Sequence, residues 1–220
     1  MRVEIKGYIV RNDDKWIYDL LEMDATCPRD VNDSISKAAG EKLEVLINSP
    51  GGDVFVGSEI YTALRSYPGE VEICVVGEAA SAASVIAMAG KCLMSPTAMM
   101  MVHNVSCDAS GDYREMEHTS ETLKTANQAI AAAYCAKSGM SEKDVLSMMD
   151  KETWLTAKQA ADYKLVDGVM FDSLPLAASG SLGLSEKTLK KMRGLLAGND
   201  PRAVKARADY DYLLLGGMQK

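Results

Sequence analysis

Apolar and polar residues along the first half of the chain follow the patterns of alternating strands and helices. Alternating or continuous apolar residues predict three strands, at residues 3–10, 43–48 and 71–76. Apolar residues at helical spacing predict a helix from 54 to 64, and a Pro-Gly pair at 68–69 ends it. This order predicts an α/β fold with a parallel sheet and right-handed crossovers.

A long helix dominates the predicted second half. Residues 112–138 keep a helical pattern without interruption, and Gly139 supplies the stop. A helix of about 27 residues reaches roughly 40 Å, so we expect it to project beyond the sheet and pack against another subunit; a long core helix is the alternative. The other predicted elements are strands at 92–96, 98–102 and 165–171, and helices at 30–40, after Ser81, at 141–149 and after a capping box at Thr156.

The composition divides the chain and limits its function. Residues 1–171 contain the predicted strands and helices, whereas 172–184 form a predicted linker and 185–220 a Lys-rich, helical C-terminal extension. The longest weakly polar stretch, 79–90, is too short to cross a membrane, and residues 1–6 lack a signal-peptide pattern, so a cytoplasmic protein is expected. A net charge of −7 argues against a nucleic-acid partner. Five widely spaced cysteines and two histidines predict neither a metal site nor a disulfide framework, and no cofactor is expected.

The segment 77–84, with the sequence GEAASAAS, places Ser81 where a predicted strand turns into a helix. The free N–H groups of a helix N-terminus can stabilise an oxyanion, which suits a nucleophile. The alternative is a helix face of small residues packed close to a sheet.

A serine nucleophile needs a base, and the chain offers only two histidines. His118 lies among charged residues of the long predicted helix, where a solvated face is expected. His103 follows the apolar run 98–102 and therefore belongs at the C-terminal edge of a strand, where open α/β sheets hold their sites. A structural histidine whose hydrogen bonds are formed within the core would have the same surroundings. His103 is therefore either the catalytic base or such a structural residue.

The segment 49–52, Ser-Pro-Gly-Gly, ends the predicted strand 43–48. As a turn it needs proline for one fixed dihedral angle and glycine for positive φ. As part of a site, Gly51 and Gly52 would expose their N–H groups and let a peptide backbone approach closely.

Together these segments resemble the caseinolytic protease ClpP family. The resemblance rests on the segments NSPGG at 48–52, GEAASA at 77–82 and MVHN at 101–104, which occur in the family's order. It also rests on LTA at 155–157 followed by YKLVD at 163–167. The resemblance covers roughly residues 3–171 and implies a ClpP/crotonase-like spiral of β-β-α units, in which the long helix is a projecting handle.

The resemblance also implies the roles of individual residues. Ser81 would be the nucleophile, His103 the general base, and the backbone N–H groups of Gly52 and Ala82 the oxyanion hole. Counting back from the LTA segment puts Glu152 at the family's acid position, with Asp150 as the less favoured alternative; a dyad without either is the third possibility. Ser84, one helical turn after Ser81, is interpreted as a packing residue.

Substrate binding and assembly follow from the same resemblance. Gly51, Gly52, Asn104 and Gly111 would contact a peptide that adds as a strand. The handle helix would stack two homo-oligomeric rings in the family's manner, and each ring is expected to be a heptamer. The chain departs from the family in two ways, since it starts close to the first strand and continues about fifty residues beyond the family's usual end. These departures argue against docking of an AAA+ unfoldase.

The expected function is a serine endopeptidase of the phage or prophage type, a head maturation protease that cleaves scaffold and capsid proteins. The first alternative is the proteolytic subunit of a bacterial ATP-dependent Clp protease. Two alternatives come from other classes: a crotonase-like acyl-CoA enzyme, which would not need Ser81 beside His103, and a non-catalytic assembly protein that keeps the fold.

Overall fold

The computed structural model describes residues 1–172, so the predicted linker from residue 173 onward and the C-terminal extension lie outside the described residues. The described part has an α/β architecture with a largely parallel sheet, so the predicted fold class is confirmed. The strands are β1 (Arg2–Ile9), β2 (Ala25–Thr26), β3 (Leu43–Gly52), β4 (Val71–Ala80), β5 (Lys91–Met94), β6 (Met99–Val102), β7 (Thr153–Thr156) and β8 (Gly168–Val169). The helices are α1 (Lys15–Leu20), α2 (Pro28–Ala38), α3 (Val54–Arg65), α4 (Ala82–Ala87), α5 (Tyr113–Ser138), α6 (Glu142–Asp150) and α7 (Ala157–Asp162).

The sheet has the strand order β2-β1-β3-β4-β5-β8, and β6 branches from the end of β4. These pairs are parallel, whereas β7 is antiparallel to β6. The central strands β3 and β4 carry fully buried Val45, Ile47, Ile73 and Val75, as expected where helices cover a parallel sheet. The apolar helix α4 packs into the same core, since all six of its residues are buried.

Two strands are longer than predicted. The structure continues β3 through the Ser-Pro-Gly-Gly segment to Gly52, and β4 through residues 77–80. The buried Ser49 Oγ donates a hydrogen bond to the Gly7 carbonyl at 2.6 Å and accepts one from the Gly51 N–H at 3.1 Å. Proline has no N–H to donate to the ladder, and the pairing of β3 with both neighbours shifts register here. The hydrogen bonds of Ser49 compensate for the missing ladder bonds, so the segment stays in the sheet.

The structure also contains elements that the sequence pattern did not predict. Helix α1 buries none of its residues, and Trp16 and Leu20 are exposed, so no core-facing stripe marks it. Strand β7 directly precedes the confirmed Thr156 capping box, and it exists because it pairs with β6. The predicted closing strand 165–171 is reduced to β8, because only two residues pair with β5.

Helix α5 is the long helix predicted from residues 112–138. Its N-terminus is held by an Asp112–Glu115 capping box, and Gly139 ends it in the left-handed conformation. Its buried residues all lie from Ala131 onward, so the N-terminal two thirds of the helix are not buried against the described body. At the C-terminal end, Lys137 pairs with Asp167 and donates to the Gly90 carbonyl, which ties the helix to the sheet.

Candidate active site

Ser81 occupies a strained turn between β4 and α4. Its backbone angles are φ 55° and ψ −126°, a conformation that costs a non-glycine residue of order 1–3 kcal/mol. The Ser81 N–H donates to the Met101 carbonyl at 3.0 Å, which fixes the turn to β6. The Ser81 hydroxyl makes no capping bond to helix α4, although Ser81 is the N-cap residue. The hydroxyl is therefore available for another partner, as in the sharp strand-to-helix turns that carry hydrolase nucleophiles.

That partner is His103. Parallel pairing of β4 with β6 places Ala80 opposite Met101, so the residues that follow these strands emerge side by side at one sheet edge. The His103 Nε2 atom lies 2.8 Å from the Ser81 Oγ atom, a hydrogen-bond distance across 22 residues of sequence. Both side chains are half-buried, whereas His118 is exposed on α5. The structure thus brings together the two residues whose juxtaposition the sequence predicted.

The glycine pair borders Ser81. Gly51 is buried with φ 96°, and a Cβ atom there would lie 2.6 Å from the Ala80 carbonyl oxygen, 2.7 Å from the Ser81 Cβ and 3.0 Å from the Ala82 nitrogen. Gly52 is exposed. Ala82 is the first residue of α4, and its N–H is one of those that have no partner within a helix. The two predicted oxyanion donors therefore belong to adjoining segments beside the Ser81 hydroxyl.

The two acid candidates form hydrogen bonds with residues other than His103. Among residues 1–172, neither the Glu152 nor the Asp150 carboxylate makes a hydrogen bond to His103. Asp150 accepts from the Asn104 amide at 2.9 Å, and Glu152 accepts from the Trp154 indole at 3.4 Å. The antiparallel ladder that ends at Val102 opposite Thr153 would, one step further, place His103 opposite Glu152. The register thus supports Glu152, while Asp150 is engaged by Asn104; the identity of the acid stays a prediction.

A cavity of about 400 Å³ opens beside Ser81 and His103. Asn104, Gly52 and Ala82 contribute to its lining, whereas Gly111 does not; Gly111 precedes α5 and lies close to the Glu115 side chain. Much of the cavity lining is apolar. The apolar residues that α3, α4 and α5 contribute include Val54, Phe55, Val85, Leu123, Ala126, Ile130 and Tyr134. Such a cavity fits an apolar side chain better than a charged one.

Charge at the cavity is concentrated in one ion pair. The Arg11 guanidinium lies 2.9 Å from an Asp53 carboxylate oxygen. Burial raises the pKa of Asp53, but the hydrogen bonds from Arg11 and from the N–H groups of Val56 and Phe55 outweigh burial and hold this pKa below its ordinary value. Asp53 therefore stays ionised as the cap of α3 and is a poor proton donor for catalysis.

Sequence reasoning did not identify Arg11, Phe55 or Tyr134 as part of the cavity, because they come from the β1–α1 connection, α3 and α5 and belong to no motif. The buried Cys92 has a pKa raised by burial to about 12, in agreement with its interpretation as a small apolar residue. No group of three or more His, Cys, Asp or Glu side chains within residues 1–172 could hold a metal ion. In the same range, no helix combines the length and the apolar character needed to cross a bilayer.

Comparisons with known proteins agree with this geometry. The family model described as Clp protease matches residues 34–173. The chain is 33% identical over 148 residues to ATP-dependent Clp protease proteolytic subunit 1 of Streptomyces avermitilis, a match that covers 64% of this chain and 68% of the relative. It is 37% identical over 135 residues to the ATP-dependent Clp protease proteolytic subunit of Ligilactobacillus salivarius, with coverages of 58% and 66%. A mutant of ClpP1 from Listeria monocytogenes has a similar fold, with a TM-score of 0.63, 21% identity and coverages of 77% and 90%.

Proposed function

The chain belongs to the Clp protease family, and from that premise we propose that it is a serine endopeptidase with Ser81 as nucleophile and His103 as general base. The observation that carries the proposal is the 2.8 Å contact between His103 Nε2 and Ser81 Oγ at a strained turn. A strained serine that leaves its helix uncapped and bonds a histidine instead is arranged for reaction rather than for packing.

The proposed reaction follows from these positions. The Ser81 Oγ attacks the carbonyl carbon of the scissile peptide while His103 Nε2 takes the hydroxyl proton. The N–H groups of Gly52 and Ala82 stabilise the oxyanion that forms on the carbonyl oxygen. His103 then gives the proton to the leaving amine, and a water molecule that His103 activates hydrolyses the acyl-enzyme. An apolar substrate side chain beside the scissile bond would enter the cavity of about 400 Å³.

The decisive experiment is labelling of the intact protein with a fluorophosphonate probe, which reacts only with an activated serine. We expect the wild type to be labelled and Ser81→Ala to remain unlabelled. A crotonase-like acyl-CoA enzyme or a non-catalytic assembly protein would not be labelled at Ser81, so an unlabelled wild type overturns the proposal. Native mass spectrometry of the same samples tests whether the substitution leaves the oligomer intact.

We further propose Glu152 as the acid that orients His103. Glu152→Gln should lower kcat by about a hundredfold at unchanged KM, because a neutral amide no longer stabilises the imidazolium. Asp150→Asn is the matched control, since Asp150 is engaged by Asn104, and its kcat should stay within about threefold of the wild type. Steady-state hydrolysis of a fluorogenic peptide measures both values. The reverse ranking would assign the role to Asp150, and two unchanged rates would indicate a Ser-His dyad.

Assembly into stacked homo-oligomeric rings is also a proposal, and we expect heptamers. Its support is α5, a helix of 26 residues whose buried positions all lie from Ala131 onward. A helix that leaves most of its length unburied in one subunit is suited to interlock with a second copy. No cofactor or metal enters the proposed reaction.

Two cellular roles are compatible with this peptidase, both in the cytoplasm. We propose a phage or prophage head maturation protease acting on scaffold and capsid proteins, on the strength of the sequence resemblance. The names of the curated relatives support the alternative, the proteolytic subunit of an ATP-dependent Clp protease. The maturation role rests on a looser resemblance than the peptidase activity, and it is tested separately.

The two roles predict different substrates. A maturation protease should cut capsid or scaffold protein at discrete sites without ATP, and Ser81→Ala should leave these proteins uncut. A proteolytic subunit should degrade a folded reporter only when an unfoldase ATPase and ATP are added. Gel electrophoresis of both reactions, with the Ser81→Ala protein as the matched control in each, measures the products. Degradation that depends on ATPase and ATP, with uncut capsid and scaffold proteins, would contradict the maturation role.

A further inference from the structure

A chain of two buried hydroxyl groups lies directly behind the Ser81 turn. The Ser84 Oγ donates a hydrogen bond to the Ser81 carbonyl oxygen at 2.7 Å, and the Tyr134 hydroxyl lies 2.7 Å from the same Ser84 Oγ. Ser84 is 0% and Tyr134 2% exposed. Fifty residues of sequence separate Ser84 from Tyr134, so the contact links α4 to α5 and is a tertiary feature.

The direction of these hydrogen bonds follows from counting hydrogens. The Ser84 hydroxyl has one hydrogen, and the Ser81 carbonyl oxygen, which can only accept, takes it. The Tyr134 hydroxyl must therefore donate to Ser84. Burial raises the pKa of the Tyr134 phenol above its ordinary value, so the group remains a donor throughout the neutral range.

The carbonyl that receives this chain shares a peptide plane with the Ala82 N–H. In a trans peptide the C=O and the following N–H point in opposite directions, and no described peptide bond is cis. A carbonyl anchored toward the interior by Ser84 thus turns the Ala82 N–H away from Ser84. The same carbonyl accepts from the Ser84 N–H at 2.9 Å and from the Val85 N–H at 3.4 Å, the first backbone bonds of α4. Because ψ of Ser81, at −126°, lies far from a helical value, the Ser84 hydroxyl adds a third bond to those that fix this plane.

We propose that Ser84 and Tyr134 are positioning residues that hold the Ser81–Ala82 peptide plane, so that the Ala82 N–H faces the developing oxyanion. The inference rests on the proposed serine peptidase function. It assigns Ser84 a role beyond the packing interpretation, and it gives the Tyr134 hydroxyl on α5 a part in supporting the oxyanion donor. Tyr134 also lines the cavity. The same side chain therefore borders the proposed substrate pocket and supports the oxyanion donor.

Three variants test the proposal: Ser84→Ala, Tyr134→Phe and the double variant. Each is compared with the wild type for kcat and KM on a peptide, for the rate of fluorophosphonate labelling and for the melting temperature. Ser84→Ala should lower kcat about tenfold or more at unchanged KM, since a misoriented oxyanion donor weakens only the transition state. Tyr134→Phe keeps the ring in place and should lower kcat by about threefold.

The double variant separates positioning from packing. Ser84→Ala alone leaves the Tyr134 hydroxyl buried without its partner, which should lower the melting temperature, whereas removal of both hydroxyls should restore much of it. We expect kcat of the double variant to stay as low as that of Ser84→Ala. Recovery of kcat together with the melting temperature would overturn the proposal, because it would mean that the hydroxyls serve packing alone.

A matched control is Ser138→Ala on the same helix. Ser138 is also buried and donates to a carbonyl, that of Tyr134 at 2.7 Å, but this bond does not reach the Ser81 turn. It should lower the melting temperature and leave kcat unchanged. Wild-type labelling at Ser81, combined with wild-type kcat in Ser84→Ala and Tyr134→Phe, overturns this inference alone. Absence of Ser81-dependent labelling in the wild type overturns the proposed function itself.

Discussion

Ser81→Ala and His103→Ala should each lower peptide hydrolysis by about 10⁴- to 10⁶-fold, with little change in KM. The Ser81 Oγ supplies the attacking electron pair, and His103, at 2.8 Å, is the only described base in contact with it. Neither residue belongs to the apolar core, and both are half-buried. Their loss should therefore affect the rate and leave the melting temperature close to that of the wild type.

Matched controls exist for both substitutions. Ser120 and His118 are both exposed on α5, so Ser120→Ala and His118→Ala remove the same groups outside the proposed site. Hydrolysis of a fluorogenic peptide by all four variants and by the double variant Ser81→Ala/His103→Ala gives the comparison. The double variant should be no slower than either single one, because the two residues act as a unit. Retained turnover in either single variant would contradict the assignment.

The α/β fold was predictable because the central strands and helices bury apolar faces, and such faces leave continuous or periodic apolar residues in the sequence. The sequence pattern placed the end of β3 too early, since the Ser-Pro-Gly-Gly segment has the composition of a turn. The segment remains in the sheet through the contacts of Ser49 with the Gly7 carbonyl and the Gly51 N–H. Helix α1 escaped prediction for the opposite reason: its large apolar residues are exposed, so the pattern of burial does not mark it.

The candidate site was predictable where composition restricted the choice. Only two histidines are present, and the one that follows an apolar run does lie at the serine. The positive φ of Ser81 was not predictable, because a small-residue sequence permits this conformation but only the contacts with Met101 and Ser84 impose it. The position of Glu152 likewise depends on the register between β6 and β7, which no local pattern encodes.

Gly51→Ala should lower kcat by about 10²- to 10³-fold, the second-largest effect expected in this chain. The new Cβ would lie 2.6 Å from the Ala80 carbonyl oxygen and 2.7 Å from the Ser81 Cβ, both closer than real contacts allow. Gly51 is buried, so the turn cannot relieve the overlap toward solvent. Either the glycine pair or the Ser81 turn must shift, and each shift separates the oxyanion donors from the nucleophile.

Gly40→Ala is the control that isolates this contact from backbone strain. Gly40 has φ 93° against 96° for Gly51, but a Cβ at Gly40 would meet no atom within 4 Å. Both substitutions force alanine into a left-handed conformation, at a cost of about 1–2 kcal/mol in the free energy of unfolding. Urea denaturation should therefore show this strain in both variants and a further loss in Gly51→Ala from the overlap, while peptide hydrolysis falls only in Gly51→Ala. Equal kcat in the two variants would mean that the glycine pair serves the turn rather than the reaction, and Gly52 would lose its proposed place in the oxyanion hole.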